Sequence, residues 1–198
     1  MVMGTVAPVI RKVALVLTAL FAVGGLLFGL GYAFEDLPIG SALLITAAIV
    51  VPLAGLTVLA MLKPDIAPVV LTIGVGLFAA YAVLDLFVEF ADAPDIPFIA
   101  LVLALPIAVM GQRHDLWAGA LLLVLAAFPF LQIVVRMFSE AAVDRPGLGV
   151  LLGGSTGVVV IPLAVLGILF LVAGGLGRQT PVADQGGVQP PARQTQLH

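Results

Sequence analysis

The chain has no cysteine among its 198 residues, which excludes disulfides, thiolate metal sites, iron–sulfur clusters and cysteine nucleophiles together. Charge is scarce as well: Asp, Glu, Lys and Arg make up 10% of the residues, against about 25% in ordinary soluble domains. Two histidines are present, His114 in a short charged connection and His198 at the last position. An intramembrane serine protease needs a histidine facing a buried serine, and a membrane haem protein needs histidines within its helices; neither histidine is so placed. Aspartyl proteolysis in a membrane needs two buried aspartates, and only Asp85 lies inside an apolar run. No phosphate-cradling glycine–lysine loop, metal-ligand cluster or dinucleotide fingerprint occurs. The expectation is a protein with no catalytic, cofactor-binding or metal-binding residues, hence not an enzyme. With a formal net charge of −3, nucleic acid is not an expected partner.

What the chain does have is apolar length. Hydrophobic residues make up 62%, and a hydrocarbon core about 30 Å thick is spanned by about 20 of them in a helix. Six apolar segments follow one another: Val13 to Phe34, Ile39 to Leu62, Ile66 to Phe90, Ile96 to Met110, Leu116 to Val135, and one that starts between Leu148 and Ser155 and ends near Leu176. The connections carry charge, and most carry a helix-stopping proline or a capping aspartate. Arg11-Lys12 followed by an apolar run resembles a signal peptide, but the run continues to Tyr32 with no polar cleavage region, so a retained anchor is expected. The predicted fold is all-α: a polytopic bundle of six transmembrane helices over 13–177, after a short N-terminal segment 1–12 and before a tail 178–198. That tail is rich in Gln, Pro, Gly and Thr and lacks the apolar content to offset ordering entropy.

Cytoplasmic loops beside membrane crossings accumulate Lys and Arg. With the N-terminus inside, Arg11, Lys12, Lys63, Arg113, Arg178 and Arg193 fall on the inner side, and only Arg136 and Arg145 of the eight basic residues fall outside. Both termini are therefore expected in the cytoplasm. The segment Ile96 to Met110, short and interrupted by Pro106, is the weakest of the six. Were it re-entrant, the basic count would become five against three, a poorer asymmetry. The same arithmetic for acids leaves the outer side at −6 and the inner at +3, together the −3 of the whole chain.

Asp85 and Glu89 are four apart, on one helix face. With Leu77 or Phe78 at the midplane they lie roughly 11 Å and 17 Å out at 1.5 Å per residue. Gln132 and Arg136 share a face at a similar depth, so Asp85, Glu89, Gln132 and Arg136 form a candidate intramembrane polar cluster, with an ion pair from Arg136 to Asp85 or Glu89 as its preferred explanation. Gly25 with Gly29, and Gly149, Gly153 and Gly157, repeat at intervals of four, the small-residue spacing that lets membrane helices approach closely. Three segments contain similar strings, Val51-Pro52-Leu53-Ala54, Leu105-Pro106-Ile107-Ala108 and Ile161-Pro162-Leu163-Ala164. A repeated hairpin would produce them, but so would chance in a chain this rich in Leu, Val, Ala and Ile.

The functional expectation is an accessory or scaffold component of a membrane assembly, in contact with the lipid bilayer and with other membrane proteins or itself. The alternative is a small transporter or channel for a cation or proton that uses the polar cluster. Heavy use of Ala, Gly, Val, Leu and Arg with little Lys suggests a prokaryotic plasma membrane. The topology makes a direct prediction: a C-terminal tag is protected from protease added outside intact cells and is digested once the membrane is permeabilised. Digestion in intact cells would invert the assignment of sides.

Overall fold

A computed structural model of the chain describes residues 3–36, 38–87, 96–139 and 155–178. They form six helices: α1 (Met3–Asp36), α2 (Ile39–Leu62), α3 (Ala67–Asp85), α4 (Ile96–Met110), α5 (Asp115–Ser139) and α6 (Ser155–Arg178), with no strand among the described residues. Five contain apolar stretches long enough to cross a membrane, while the apolar run of α4, Pro97–Met110, is shorter. The architecture expected from the sequence is the one observed, and α2 and α4 have the predicted bounds. The helix α1, however, starts at Met3, ten residues before the expected Val13, so Arg11 and Lys12 of the N-terminal segment 1–12 are helical. Of the expected third span, Val88 to Phe90 lie outside the described residues, as do Gly149 and Gly153.

Without water there is no hydrophobic force pulling one apolar helix onto another, so helices in lipid associate through close packing and hydrogen bonds. The helix α1 follows this rule plainly. Ala7, Ala14, Thr18 and Ala22 are buried, while Val9, Val16, Leu20 and Leu27 are exposed. Its small residues therefore face the bundle and its large ones face outward, the reverse of a soluble amphipathic helix. Hydroxyls are satisfied locally: Thr18, Thr46, Thr57 and Thr72 each donate to the carbonyl four residues back, at 2.6–2.8 Å. Such a bond removes an exposed donor that hydrocarbon could not solvate.

The most extensive helix pairing is between α5 and α6, and it is an antiparallel interleaving of glycine and leucine. Leu116 lies over Gly174, Leu171 over Gly119 and Leu123 over Gly167. A Cβ added at any of these glycines would come within 2.7–2.9 Å of the opposing leucine. At Gly119 and Gly167 the backbones themselves meet, since each added Cβ would also lie within 2.8–3.1 Å of the other glycine's carbonyl oxygen. At the turn before α5, Gly111 makes room for the Phe170 ring in the same way. Of the glycines singled out by spacing, Gly25 is a contact site, where a Cβ would collide with Leu101 of α4, and Gly157 is buried in α6. The surroundings of Gly29 lie outside the described residues.

Helix α4 is the centre of the bundle and contacts each of the other five. Ala100, Ala104, Ile107 and Ala108 are fully buried. Between α3 and α5, Phe78 meets Phe128 edge to face, with centroids 6.2 Å apart. Of the three helices that share the proline-containing strings, α4 is central and α2 lies at the periphery. At 1.5 Å per residue α4 is about 22 Å long, less than the hydrocarbon thickness. Its neighbours, and not lipid, border most of it.

The zipper makes a clear mutational prediction. Gly119→Val and Gly167→Val each overpack the α5–α6 interface and should cost about 1–3 kcal/mol, read as a lower unfolding temperature in detergent. Gly55→Ala and Gly76→Ala, where an added Cβ meets nothing within 4 Å, should leave that temperature unchanged or raise it.

Candidate functional site

Two polar contacts join helices at opposite ends of the bundle. At one end, the amide nitrogen of Gln132 in α5 donates to the Ala82 carbonyl at 3.1 Å and to Asp85 Oδ2 at 3.3 Å, both in α3. Gln132 is buried and Asp85 half-buried. One turn of α3 therefore offers two acceptors, a backbone oxygen and a carboxylate, to a single carboxamide. The structure brings together these two members of the expected cluster. Arg136 continues α5 one turn past Gln132, but its side chain lies outside the described residues, as does Glu89, and with them the expected ion pair. Within the described residues, Asp85 accepts from the neutral amide of Gln132.

The second contact was not anticipated. Arg11 of α1 forms a salt bridge from its Nη2 to Asp115 Oδ2 at the start of α5, and its Nη1 donates to the Gln112 carbonyl at 3.2 Å. Gln112 answers with its own amide on the Arg11 carbonyl at 3.4 Å. The turn that presents these groups is held by its backbone: Gly111 N–H bonds to Ile107, and His114 N–H to Met110. The His114 carbonyl then accepts from Ala118 and opens α5. An aspartate in the first helical turn also suits the positive end of the helix dipole. Asp115 is 9% exposed, and its Oδ1, like Arg11 Nε, has no hydrogen-bond partner. The Cβ of Asp115 lies beside Gly174 of α6, so three helices converge here.

A sequence signal for this contact existed in the small face of α1. Arg11 falls in line with Ala7, Ala14 and Thr18, which are buried, whereas Lys12 points away and is exposed. Following that face would have placed Arg11 inside the bundle.

The contact also fixes connectivity. Arg11 near the start of α1, Asp115 at the start of α5 and Gly174 near the end of α6 lie together. Helix α4 therefore returns the chain to the end where it began, and the two ends of the described chain share one end of the bundle. Lys63, at the tight α2–α3 connection, belongs to that end as well, because the opposite end of α3 carries Asp85. Exposed Trp117, close by in α5, fits the aromatic belt of a membrane interface.

Chemically, these groups are suited to holding helices together. Among the described residues no three His, Asp or Glu side chains gather closely enough to hold a metal ion. An apolar cleft between α2 and α4 includes neither Asp85 nor Asp115 in its walls. No protein-family model, curated protein or solved structure matches the chain.

If Arg11 and Asp115 form a clamp, removing one partner costs more than removing both. Asp115→Asn and Arg11→Gln should each destabilise the bundle by about 2–3 kcal/mol. The double substitution should cost less than their sum by at least about 1 kcal/mol in a double-mutant cycle. Strict additivity would mean the two groups act independently.

Proposed function

We infer that the protein is an accessory or scaffold component of a membrane assembly, without catalysis of its own. It sits in a prokaryotic plasma membrane with both termini in the cytoplasm. The observation that carries this reading is the use of its polar side chains: Arg11 on Asp115 and Gln132 on Asp85, each linking one helix to another. Groups committed to helix-to-helix contacts serve shape. What remains for the surroundings is a large apolar exterior, including Val16, Leu44, Leu77 and Phe87, which favours lipid and other membrane helices as neighbours.

The orientation follows from charge. The end of the bundle with Arg11, Lys12, Lys63 and Arg113 is the basic one, and basic ends face the cytoplasm. The opposite end carries Glu35, Asp36 and Asp85, and its negative field favours a basic domain of a partner on that side.

The test is purification of the tagged chain from its own membrane in mild detergent, together with a flux assay in liposomes. The expected result is co-purification of a defined protein in fixed ratio and no cation or proton flux above that of empty liposomes. A flux that disappears in a folded Asp85→Asn variant would replace this reading with transport.

A further inference from the structure

The basic end of the bundle carries more positive charge than its own acids neutralise. Among the described residues the acids there are Asp65, which stands two residues after Lys63, and Asp115, which is buried and already paired with Arg11. Lys12 and Arg113 are left over. Both are exposed, and neither has an acidic partner among the described residues. A cation at a membrane surface with no counter-charge from its own protein takes one from its surroundings, and the nearest source is an anionic headgroup.

Lys12 and Arg113 come from distant parts of the chain, and the clamp brings those parts together. Arg11 Nη1 donates to the Gln112 carbonyl at 3.2 Å, and the Gln112 amide donates to the Arg11 carbonyl at 3.4 Å. Each bond runs from a side chain of one segment to the backbone of the other, so α1 and the α4–α5 turn are locked side by side at this level. Lys12 and Arg113 each follow one member of that pair and point outward. The turn beneath Arg113 is fixed as well, with Arg113 N–H on the Met110 carbonyl at 3.0 Å and Gln112 N–H on that of Val109 at 3.1 Å. Two residues into α5, Trp117 is 55% exposed, which marks this level as that of the headgroups. Further into the membrane, Val13 and Val16 of α1 and Val124 of α5 are exposed, an apolar surface of use only to a ligand that carries acyl chains.

We propose that Lys12 and Arg113 together hold the phosphate of one anionic phospholipid, whose acyl chains lie along the exposed faces of α1 and α5. The guanidinium fork of Arg113 matches two phosphate oxygens, and Lys12 adds a point charge. The Arg11–Asp115 pair positions both without touching the lipid. The site does not rest on the scaffold reading: a flux in liposomes or a missing partner protein would remove that reading and leave this one standing.

The test titrates the full chain in mild detergent with equal amounts of phosphatidylglycerol and phosphatidylcholine of the same acyl chains, and counts bound lipids by native mass spectrometry. The first lipid bound should be phosphatidylglycerol, favoured about twenty-five-fold, or about fivefold for each basic residue at the surface. Later lipids should show no such preference. Lys12→Gln and Arg113→Gln should each lower the preference about fivefold. Lys63→Gln removes the same charge from the same end, on the α2–α3 connection, and should leave it unchanged. All three side chains are exposed, and an unaltered unfolding temperature verifies that each variant is folded. Equal first binding of the two lipids would overturn the proposal. So would an equal loss in all three variants, since a diffuse field would then suffice, and so would displacement of the lipid by excess glycerol phosphate, which carries the anion without the chains.

Discussion

Hydrocarbon offers a backbone no hydrogen bonds, so every amide and carbonyl in this chain must find its partner within the protein or within something the protein holds. The rest of the structure follows from that constraint. Helices are the only element that satisfies it segment by segment, hence six of them and no strand among the described residues. Threonines turn their hydroxyls back onto their own helices. Charged side chains gather at the two ends, where water or an opposite charge is available, and the one that enters the packed face of α1, Arg11, meets a carboxylate.

The same solvent removes the usual reason for large side chains to be inside. Lipid treats an outward leucine as well as a neighbouring helix does, so burial there is decided by how closely backbones can approach. This is why α1 buries alanine and exposes valine and leucine, and why the most extensive helix pairing among the described residues interleaves glycine with leucine between α5 and α6. A clamp such as Arg11 with Asp115 gains from the low dielectric around it, but each partner has lost hydration to be there. Its value lies chiefly in penalising any arrangement that separates the pair.

Much of the architecture was legible in the chain because apolar length is a one-dimensional property. The bounds of α2 and α4 could be read directly from Pro38, Lys63, Asp95 and Gly111. The packing was less legible because it depends on which residue opposes which. Gly149, Gly153 and Gly157 have the familiar interval of four, yet the glycines that bring backbones together include Gly119 and Gly167, which stand on different helices and have no shared spacing at all. Their pattern becomes visible only when α5 and α6 are laid antiparallel, with Leu116, Gly119 and Leu123 against Gly174, Leu171 and Gly167. In the polar cluster, Asp85 and Gln132 were found by depth and face. Arg11 was missed because a basic residue just before an apolar run reads as a topogenic charge, and nothing in the run itself reveals that the residue also packs.

The segment Ile96 to Met110 shows most clearly how the environment changes the meaning of a sequence. Judged as a helix in lipid it is too short and is weakened by Pro106. Judged as the helix that touches all five others it is neither, because a helix shielded by protein need not match the bilayer, and a carbonyl freed at its centre is exposed to neighbours, not to acyl chains.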